Sequence, residues 1–430
     1  MTLALEPTWL AAQRWFRSKQ RPIAAVTEVD RAPVEPADLR VLEVAYADGG
    51  TPDRYLVPTI GGLEPQDGDG AWTAIVRSMA DGAEILGDRG RFTCSRTHAF
   101  DELLPSARQA VEALDERRLR VEQSNSSIVL GERLILKVYR LLEPGENPDL
   151  EVSAFLTEVG FTDTPAVAGA MTYTADGAES AAAMLQAYVP SSGDAWAATL
   201  RALAEDPRGG IGIAATVGGL TAAMHAALGS RPDHPSFPAR AATVAETAAW
   251  RASAERQLAQ AVTAVDTDLH RRLVDLAPAV TARFADTFGS ATGAARVSRI
   301  HGDYHLGQLL ARTDGGFSVI DFEGEPARPL AERRQPGSPL RDVAGMLRSL
   351  DYAARTVARD DPTFDADDWQ AEAREAFIGA YGGVDPAEAG LLQAFELEKA
   401  CYEVRYEAGN RPEWLWLPLA AVERLIMGAE

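Results

Sequence analysis

The stretch His301-Gly302-Asp303-Tyr304-His305-Leu306-Gly307-Gln308, with Ile320-Asp321-Phe322-Glu323 beyond it, decides how this chain is read. Gln308 lies five residues after Asp303, and Asp321 lies eighteen after it. The apolar run Phe317-Ser318-Val319-Ile320 between them reads as a strand, so the connection is a short hairpin. The pattern supplies one carboxylate to receive a proton, and an amide and a second carboxylate to hold a hard cation. A lone His-Gly-Asp is a common turn, and an aspartate after a strand is often a helix cap. Neither accounts for all three spacings at once.

Those parts are the ones that ATP-dependent phosphoryl transfer to a small hydroxyl compound requires. An aspartate on a catalytic loop receives the acceptor's proton, an amide five residues on binds metal, and a further aspartate binds the metals that bridge the phosphates. Asp303, Gln308 and Asp321 fill these places. Asp321-Phe322-Glu323 departs from the Asp-Phe-Gly of protein kinases, and Glu323 adds a carboxylate for a second Mg²⁺ or its water shell. His301 and His305 do not redirect the site to a transition metal, because its acidic and amide groups suit hard cations. His301 is expected to buttress the loop and to lie on the substrate side.

Only three of the 42 basic residues are lysine, namely Lys19, Lys137 and Lys399. Arginine replaces lysine on a surface but not where a compact ammonium must fit, so these three are candidates for specific roles. Lys137 ends a strand and Glu151 opens the next helix, the spacing expected of a phosphate-gripping lysine held by a helix glutamate. The turn Glu122-Gln123-Ser124-Asn125-Ser126-Ser127 stands where a glycine-rich loop would cover the phosphates. It has no glycine, so hydroxyls, amides and backbone N–H groups of Ser124, Asn125 and Ser126 are the expected phosphate contacts. Met184-Leu185-Gln186-Ala187-Tyr188-Val189 is read as the strand leading to the interlobe hinge, with adenine meeting the backbone near Gln186 to Tyr188.

A length of 430 residues allows two or three domains, and 46% hydrophobic content supports a real core. A formal charge of -21 and a pI near 4.8 argue against nucleic acid or an anionic membrane as partner. Cys94 and Cys401 are far apart, which favours a reducing cytoplasm over a disulfide framework. The first seven residues lack a basic n-region, so no signal peptide is expected, and no apolar run is read as a membrane span. A monomer is expected, since no dimerisation heptad is present.

Three modules are expected: 1–104 as an α+β cap, 105–190 as an ATP-binding sheet with one helix, and 191–430 as a mostly helical lobe. In the first, a leading helix falls near Trp9 to Arg17. Val41–Tyr46 and Arg54–Pro58 form a hairpin about Asp48-Gly49-Gly50, and Pro65–Gly70 is a loop. In the second, Leu119–Val121, Ser127–Leu130 and Leu134–Tyr139 are strands. Asn147 caps a helix that Pro148 begins.

The chain resembles the actinobacterial maltokinases, which belong with aminoglycoside and choline kinases in the kinase-like superfamily. The matching residues are Trp9-Leu10 with Gln13-Arg14-Trp15-Phe16, the turn Glu122–Ser127, Leu136-Lys137-Val138, and Asn147-Pro148-Asp149-Leu150-Glu151. The match continues through His301–Gln308, Ile320–Pro326, Ser338–Arg348, and Glu398-Lys399 to Arg411-Pro412. The resemblance spans nearly the whole length. It implies an α+β, bilobal protein-kinase-like fold with an N-terminal cap and a helical C-lobe, ATP and Mg²⁺ as cofactors, and a sugar acceptor.

Lys399, Tyr402, Glu403 and Tyr406 recur at spacings of three and four and so share one helix face; Arg411 and Trp414 follow. The resemblance makes this segment the sugar pocket, and its aromatic and charged groups suit a polyol. Maltokinases usually run Arg-Pro-small or acidic-Trp-Leu-Pro-aliphatic-Pro-Leu here. This chain has Arg411-Pro412-Glu413-Trp414-Leu415-Trp416-Leu417-Pro418-Leu419. Trp416 adds a ring where proline stands, filling the subsite of a second sugar ring, and Glu413 adds a carboxylate. Glucosamine is therefore the favoured acceptor, giving glucosamine 6-phosphate, because an ammonium gains charge-assisted hydrogen bonds in such a pocket. Maltose giving maltose 1-phosphate, an aminoglycoside, and a non-catalytic nucleotide-binding scaffold are the alternatives.

Overall fold

The computed structural model describes residues 6–104, 111–119, 124–206, 208–265, 268–291, 293, 295–325 and 328–428. The chain divides into two compact units, Met1–Pro190 and Ser191–Glu430.

The first unit is built on two antiparallel sheets. β1 (Ile23–Val34), β2 (Ala37–Tyr46) and β3 (Asp53–Thr59) form the smaller, in that order. The hairpin expected about Asp48-Gly49-Gly50 is present, with Val44 opposite Asp53 and Gly49 at φ +71°, where a side chain would be strained. The leading helix is shorter than expected: α1 covers Pro7–Ala12. Trp15 and Phe16 leave the helix to bury against Tyr55.

The larger sheet contains β4 (Glu84–Leu86), β5 (Arg91–Arg96), β6 (Glu116–Arg118), β7 (Asn125–Leu130), β8 (Leu134–Tyr139), β9 (Val167–Ala175) and β10 (Ala178–Ala187). Its order is β4-β5-β9-β10-β8-β7-β6. The expected boundary at 104/105 therefore falls inside one sheet, since β5 pairs with β9. The expected strand at Leu119–Val121 lies earlier, at Glu116–Arg118, and residues 120–123 lie outside the described residues. α2 (Ala71–Asp81) covers one face with Trp72, Ile75, Val76 and Met79. Glu116 receives the Gly70 and Thr73 N–H groups at the start of that helix, which satisfies donors that no turn of the helix can. α3 (His98–Leu103) follows β5, and α4 (Pro148–Glu158) packs on the opposite face. Asn147 caps α4 by accepting from the Asp149 and Leu150 N–H groups, as its place before Pro148 predicts.

Arg140 joins the two sheets and is fully buried. Its guanidinium donates to Ser126 Oγ at 2.9 Å, Leu56 O at 3.4 Å and Glu64 Oε1 at 2.6 Å, beneath the Trp15 ring. Asp30 of β1 makes a second join, accepting from the Arg89 and Gly90 N–H groups and the Tyr173 hydroxyl.

The second unit is mostly helical. It opens with β11 (Ser191–Asp194), α5 (Ala195–Glu205) and α6 (Gly209–Leu228). β12 (Arg240–Ala241), α7 (Val244–Ala264), α8 (Asp268–Ser290) and β13 (Arg296–Val297) follow. β14 (Leu309–Arg312) and β15 (Phe317–Val319) then interrupt the helices, pairing as the expected hairpin with Leu309 opposite Val319. α9 (Leu330–Arg333), α10 (Leu340–Asp360), α11 (Ala366–Tyr381), α12 (Ala389–Asn410) and α13 (Trp416–Met427) complete the unit.

One expectation is corrected here. α6 is long and apolar enough to cross a membrane by length and composition, although no such run was read in the sequence. Its apolarity comes from alanine and from Ile, Val, Leu and Met, while its glycines serve close helix packing. A Cβ on Gly218 would overlap the Phe377 carbonyl of α11, so only glycine permits that approach. Gly218→Val should therefore destabilise the unit by about 1–3 kcal/mol, the usual size of overpacking. Gly212→Ala, with nothing within 4 Å of its added methyl, should stabilise by roughly 0.4–1 kcal/mol. Thermal unfolding of the two variants checks both signs.

Candidate active site

In the second unit the hairpin register builds the site. Gln308 ends the short 3₁₀ turn Leu306–Gln308, and its carbonyl accepts the Ile320 N–H at 3.0 Å. That bond sets Gln308 beside Asp321, and Gln308 Nε2 donates to Asp321 Oδ2 at 3.3 Å. Asp321 holds φ at +67°, uncommon for a residue with a side chain. Asp321 and Glu323 bring carboxylate oxygens within 4.8 Å of each other. Two carboxylates and an amide oxygen form a donor set that fits Mg²⁺.

The loop carrying Asp303 is held from behind by α10. Asp342, fully buried, accepts the His301 N–H at 2.8 Å and the Gly302 N–H at 2.9 Å. His225 of α6 lies 3.1 Å from the same carboxylate, and Tyr381 bonds the other ring nitrogen of His225. Burial works against ionisation of Asp342, but His225, His301 and the Gly302 N–H outweigh it and hold the group below the usual carboxylate range. Gly345 lets α10 approach, since a Cβ there would come within 2.6 Å of Tyr304 O. His301 buttresses the loop as expected. Its Nε2 faces Ile320 O at 3.0 Å, its Nδ1 receives the Asp303 N–H, and its ring packs on Tyr304 and Phe322. With both ring nitrogens engaged, His301 is a support for Asp303 rather than the substrate contact also expected of it. His305 Nδ1 accepts the Gly307 N–H at the start of the 3₁₀ turn.

Lys399 of α12 donates to Asp303 Oδ1 at 3.2 Å. Burial alone would raise Asp303, but Lys399 in particular holds it below the usual carboxylate range. Burial would lower Lys399, but Asp303, Tyr402 and nearby glutamates raise it above the usual lysine value.

Asp303, Lys399 and Tyr402 line a cavity of about 570 Å³ walled by α7, α12, the loop around Asp303 and residues between Arg328 and Gly345. Glu325, Arg328, Arg341 and Glu398 also face it, together with Trp250, Ser253 and Gln257 of α7. The other expected pocket residues lie elsewhere. Glu403 is buried in an ion pair with Arg348, which donates to it at 2.7 and 3.0 Å. Tyr406 is exposed, stacked on Tyr402, and Arg411 pairs with Glu407. Trp414 lies under Arg359 and Arg411 in a 3₁₀ turn with Glu413, and Trp416 opens α13 as an exposed ring. None of Glu403, Tyr406, Arg411, Glu413, Trp414 or Trp416 lines the cavity. Helical spacing from Lys399 found Tyr402. It could not show that the facing wall comes from α7, some 145 residues earlier.

In the first unit the period of two along β8 sends Leu134, Leu136 and Val138 into the core and Lys137 to the face that α4 covers. Lys137 Nζ donates to Asp149 Oδ2 at 2.8 Å, and Tyr139 donates to the same oxygen. The glutamate expected as partner, Glu151, stands two residues on in the first turn of that helix. Sequence spacing missed Asp149, which is buried in that same turn. Glu122 and Gln123 lie outside the described residues; Ser124, Asn125 and Ser126 follow, with Asn125 opening β7. The Ser126 hydroxyl accepts from Arg118 and Arg140. Gln186 donates to Pro165 O, and the Tyr188 N–H donates to Arg133 O at 2.8 Å, so that N–H is already used. Of the three lysines, two are in ion pairs and Lys19 is exposed.

Comparison with known proteins adds to this geometry. Residues 9–85 match the maltokinase N-terminal cap domain, and residues 114–392 match the phosphotransferase enzyme family. The chain is 33% identical over 333 residues to a glucosamine kinase of Streptacidiphilus jiangxiensis, covering 72% of this chain and 73% of that one. It is 28% identical over 383 residues to a glucosamine kinase of Mycolicibacterium smegmatis (strain ATCC 700084 / mc(2)155), covering 84% and 92%. A solved glucosamine kinase in complex with glucosamine, ADP and inorganic phosphate superposes with a TM-score of 0.75 at 26% identity, covering 99% of this chain and 98% of that one.

The Asp303–Lys399 pair carries a pH prediction. A depressed carboxyl adds stability above its unfolded value, near 3.8, that is lost as pH falls through the folded value. A raised ammonium adds stability below 10.5 that is lost as pH rises through the folded value. The pair is thus intact from weakly acidic to weakly alkaline pH. Lys399→Met removes the largest influence that opposes burial at Asp303, leaving only His305 and His301, so the acid limb of the pH–rate profile should move towards neutrality. An unmoved limb would show that Lys399 does not set the ionisation of Asp303.

Proposed function

As a member of the phosphotransferase enzyme family, in its maltokinase-capped, glucosamine-kinase-like branch, the chain is an ATP-dependent sugar kinase, and we propose that it transfers the γ-phosphate to the 6-hydroxyl of glucosamine. The observation that carries this reading is Asp303, held ionised by Lys399, on a cavity whose wall also presents Glu325 and Glu398.

Lys137, held by Asp149, offers its ammonium to the nucleotide phosphates. Asp321, Glu323 and the Gln308 amide are the groups that hold Mg²⁺, which when bound neutralises phosphate charge. Asp303 accepts a hydrogen bond from the acceptor hydroxyl. A carboxylate below its usual range is a weak base, so it orients the hydroxyl and takes the proton as transfer proceeds. Asp342 and His301 fix the backbone on which that orientation depends. Catalysis is then mostly positioning and charge neutralisation.

Carboxylates on the cavity favour a cationic sugar over maltose. Glu413 and Trp416, which motivated glucosamine from the sequence, stand away from the cavity, so the preference rests on different residues. Buried, unpaired Cys94 and Cys401 support a reducing cytoplasm, and we take the enzyme as a monomer acting on a dissolved sugar without nucleic acid or membrane.

With Mg²⁺ and ATP, a panel of glucosamine, N-acetylglucosamine, glucose, maltose and an aminoglycoside should show turnover on glucosamine above all others. Turnover on maltose alone would make the chain a maltokinase. Asp303→Asn should lower glucosamine turnover by roughly 10²-fold or more, the usual size of a general-base effect, while nucleotide affinity holds.

A further inference from the structure

We propose that Glu398 of α12, with Ser253 and Gln257 of α7, forms the subsite that recognises the acceptor's amino group and a neighbouring hydroxyl. This rests on the amino-sugar reading above and names the residues that make the choice.

Trp250, Ser253 and Gln257 follow one another at three and four residues along α7, so one helix face presents all three to the cavity. Trp250 packs edge-on against Phe395 and closes the apolar part of that wall. Glu398 precedes Lys399, so the carboxylate and the ammonium that holds Asp303 enter the cavity from adjacent positions of one helix.

Among the described residues, two buried acceptor oxygens on this wall have no hydrogen bond. Glu398 is 4% exposed. Its Oε1 accepts from Ser253 Oγ at 2.8 Å, but its buried Oε2 has no hydrogen-bond partner. Arg341 Nη1 lies 3.0 Å from Oε2 as an ion pair without hydrogen-bond alignment, and its guanidinium lies over the Phe395 ring. Gln257 Oε1 is likewise buried and without a partner. Arg328 reaches the same network, donating to Ser253 Oγ at 3.4 Å and to Glu325 at 2.6 Å.

Buried oxygens without donors are rare in native folds, and a ligand that brings donors completes them. Gln257 Oε1 lacks a donor, and Glu398 Oε2 has only the ion pair with Arg341, so the ligand must be rich in N–H and O–H groups. An ammonium brings three donors and a charge opposite to that of Glu398, and a sugar hydroxyl suits the neutral Gln257 oxygen. Acetylation of the amine removes the charge and leaves one N–H donor, and glucose replaces the ammonium with one neutral hydroxyl. The subsite therefore selects a free amine.

The test compares kcat/KM for glucosamine and for glucose in the wild type, Glu398→Gln and Gln257→Met. Glu398→Gln should lower kcat/KM for glucosamine by roughly 10- to 100-fold, the size of a charge-assisted hydrogen bond, and change glucose by less than about 3-fold. Gln257→Met should raise the KM for glucosamine by about 10-fold at unchanged kcat and unchanged KM for ATP. Equal losses on both sugars in Glu398→Gln, with no effect of Gln257→Met, would overturn the subsite while leaving the kinase reading intact. A wild type that turns over glucose but not glucosamine would overturn the amino-sugar reading, and this subsite with it.

Discussion

The hydrogen bonds from the His301 and Gly302 N–H groups to the buried carboxylate of Asp342 fix the backbone from which Asp303 projects. A loop is ordinarily the least constrained part of a fold. Here its backbone donors end on a charge that is itself braced by His225 and, through it, by Tyr381. Three helices, α6, α10 and α11, thereby determine where one catalytic carboxylate stands. The arrangement works only because Asp342 stays ionised in the interior, which its donors ensure.

Arg140 plays a comparable part in the first unit. A fully buried guanidinium is costly unless it is paired, and this one is held from both sheets at once by Glu64, Leu56 O and Ser126. The cap sheet is thus bonded to β7, the strand that begins beside the turn read as the phosphate cover. Ser126, read as a phosphate contact, is held by this structural network. A serine in a polar turn cannot reveal which of these it serves, because both uses need the same hydroxyl.

The second unit pairs opposite charges throughout its catalytic region. Lys399 meets Asp303, Arg348 meets Glu403 and Asp351, and Arg341 meets Glu398. Two of these carboxylates, Asp303 and Glu398, face a cavity, and Glu403 does not. Burial alone does not separate a specificity carboxylate from a structural one. The difference is whether an oxygen remains without a hydrogen bond after the internal partners are counted.

The sequence by itself determined the reaction and the hairpin that supports it. Offsets of five and eighteen from Asp303 carry a strand register, and the period of two along β8 fixes which face Lys137 takes. Both are local, set by bonds between residues close along the chain. Asn147 and Pro148 marked the start of α4 for the same reason. Only the tertiary structure decided the partners that come from far along the chain. It set Asp342 behind the loop, α7 opposite α12 across the cavity, and Tyr406, Arg411 and Trp416 away from the cavity that their spacing suggested. Helical spacing defines a face but not what stands opposite, because that depends on how helices separated by more than a hundred residues pack.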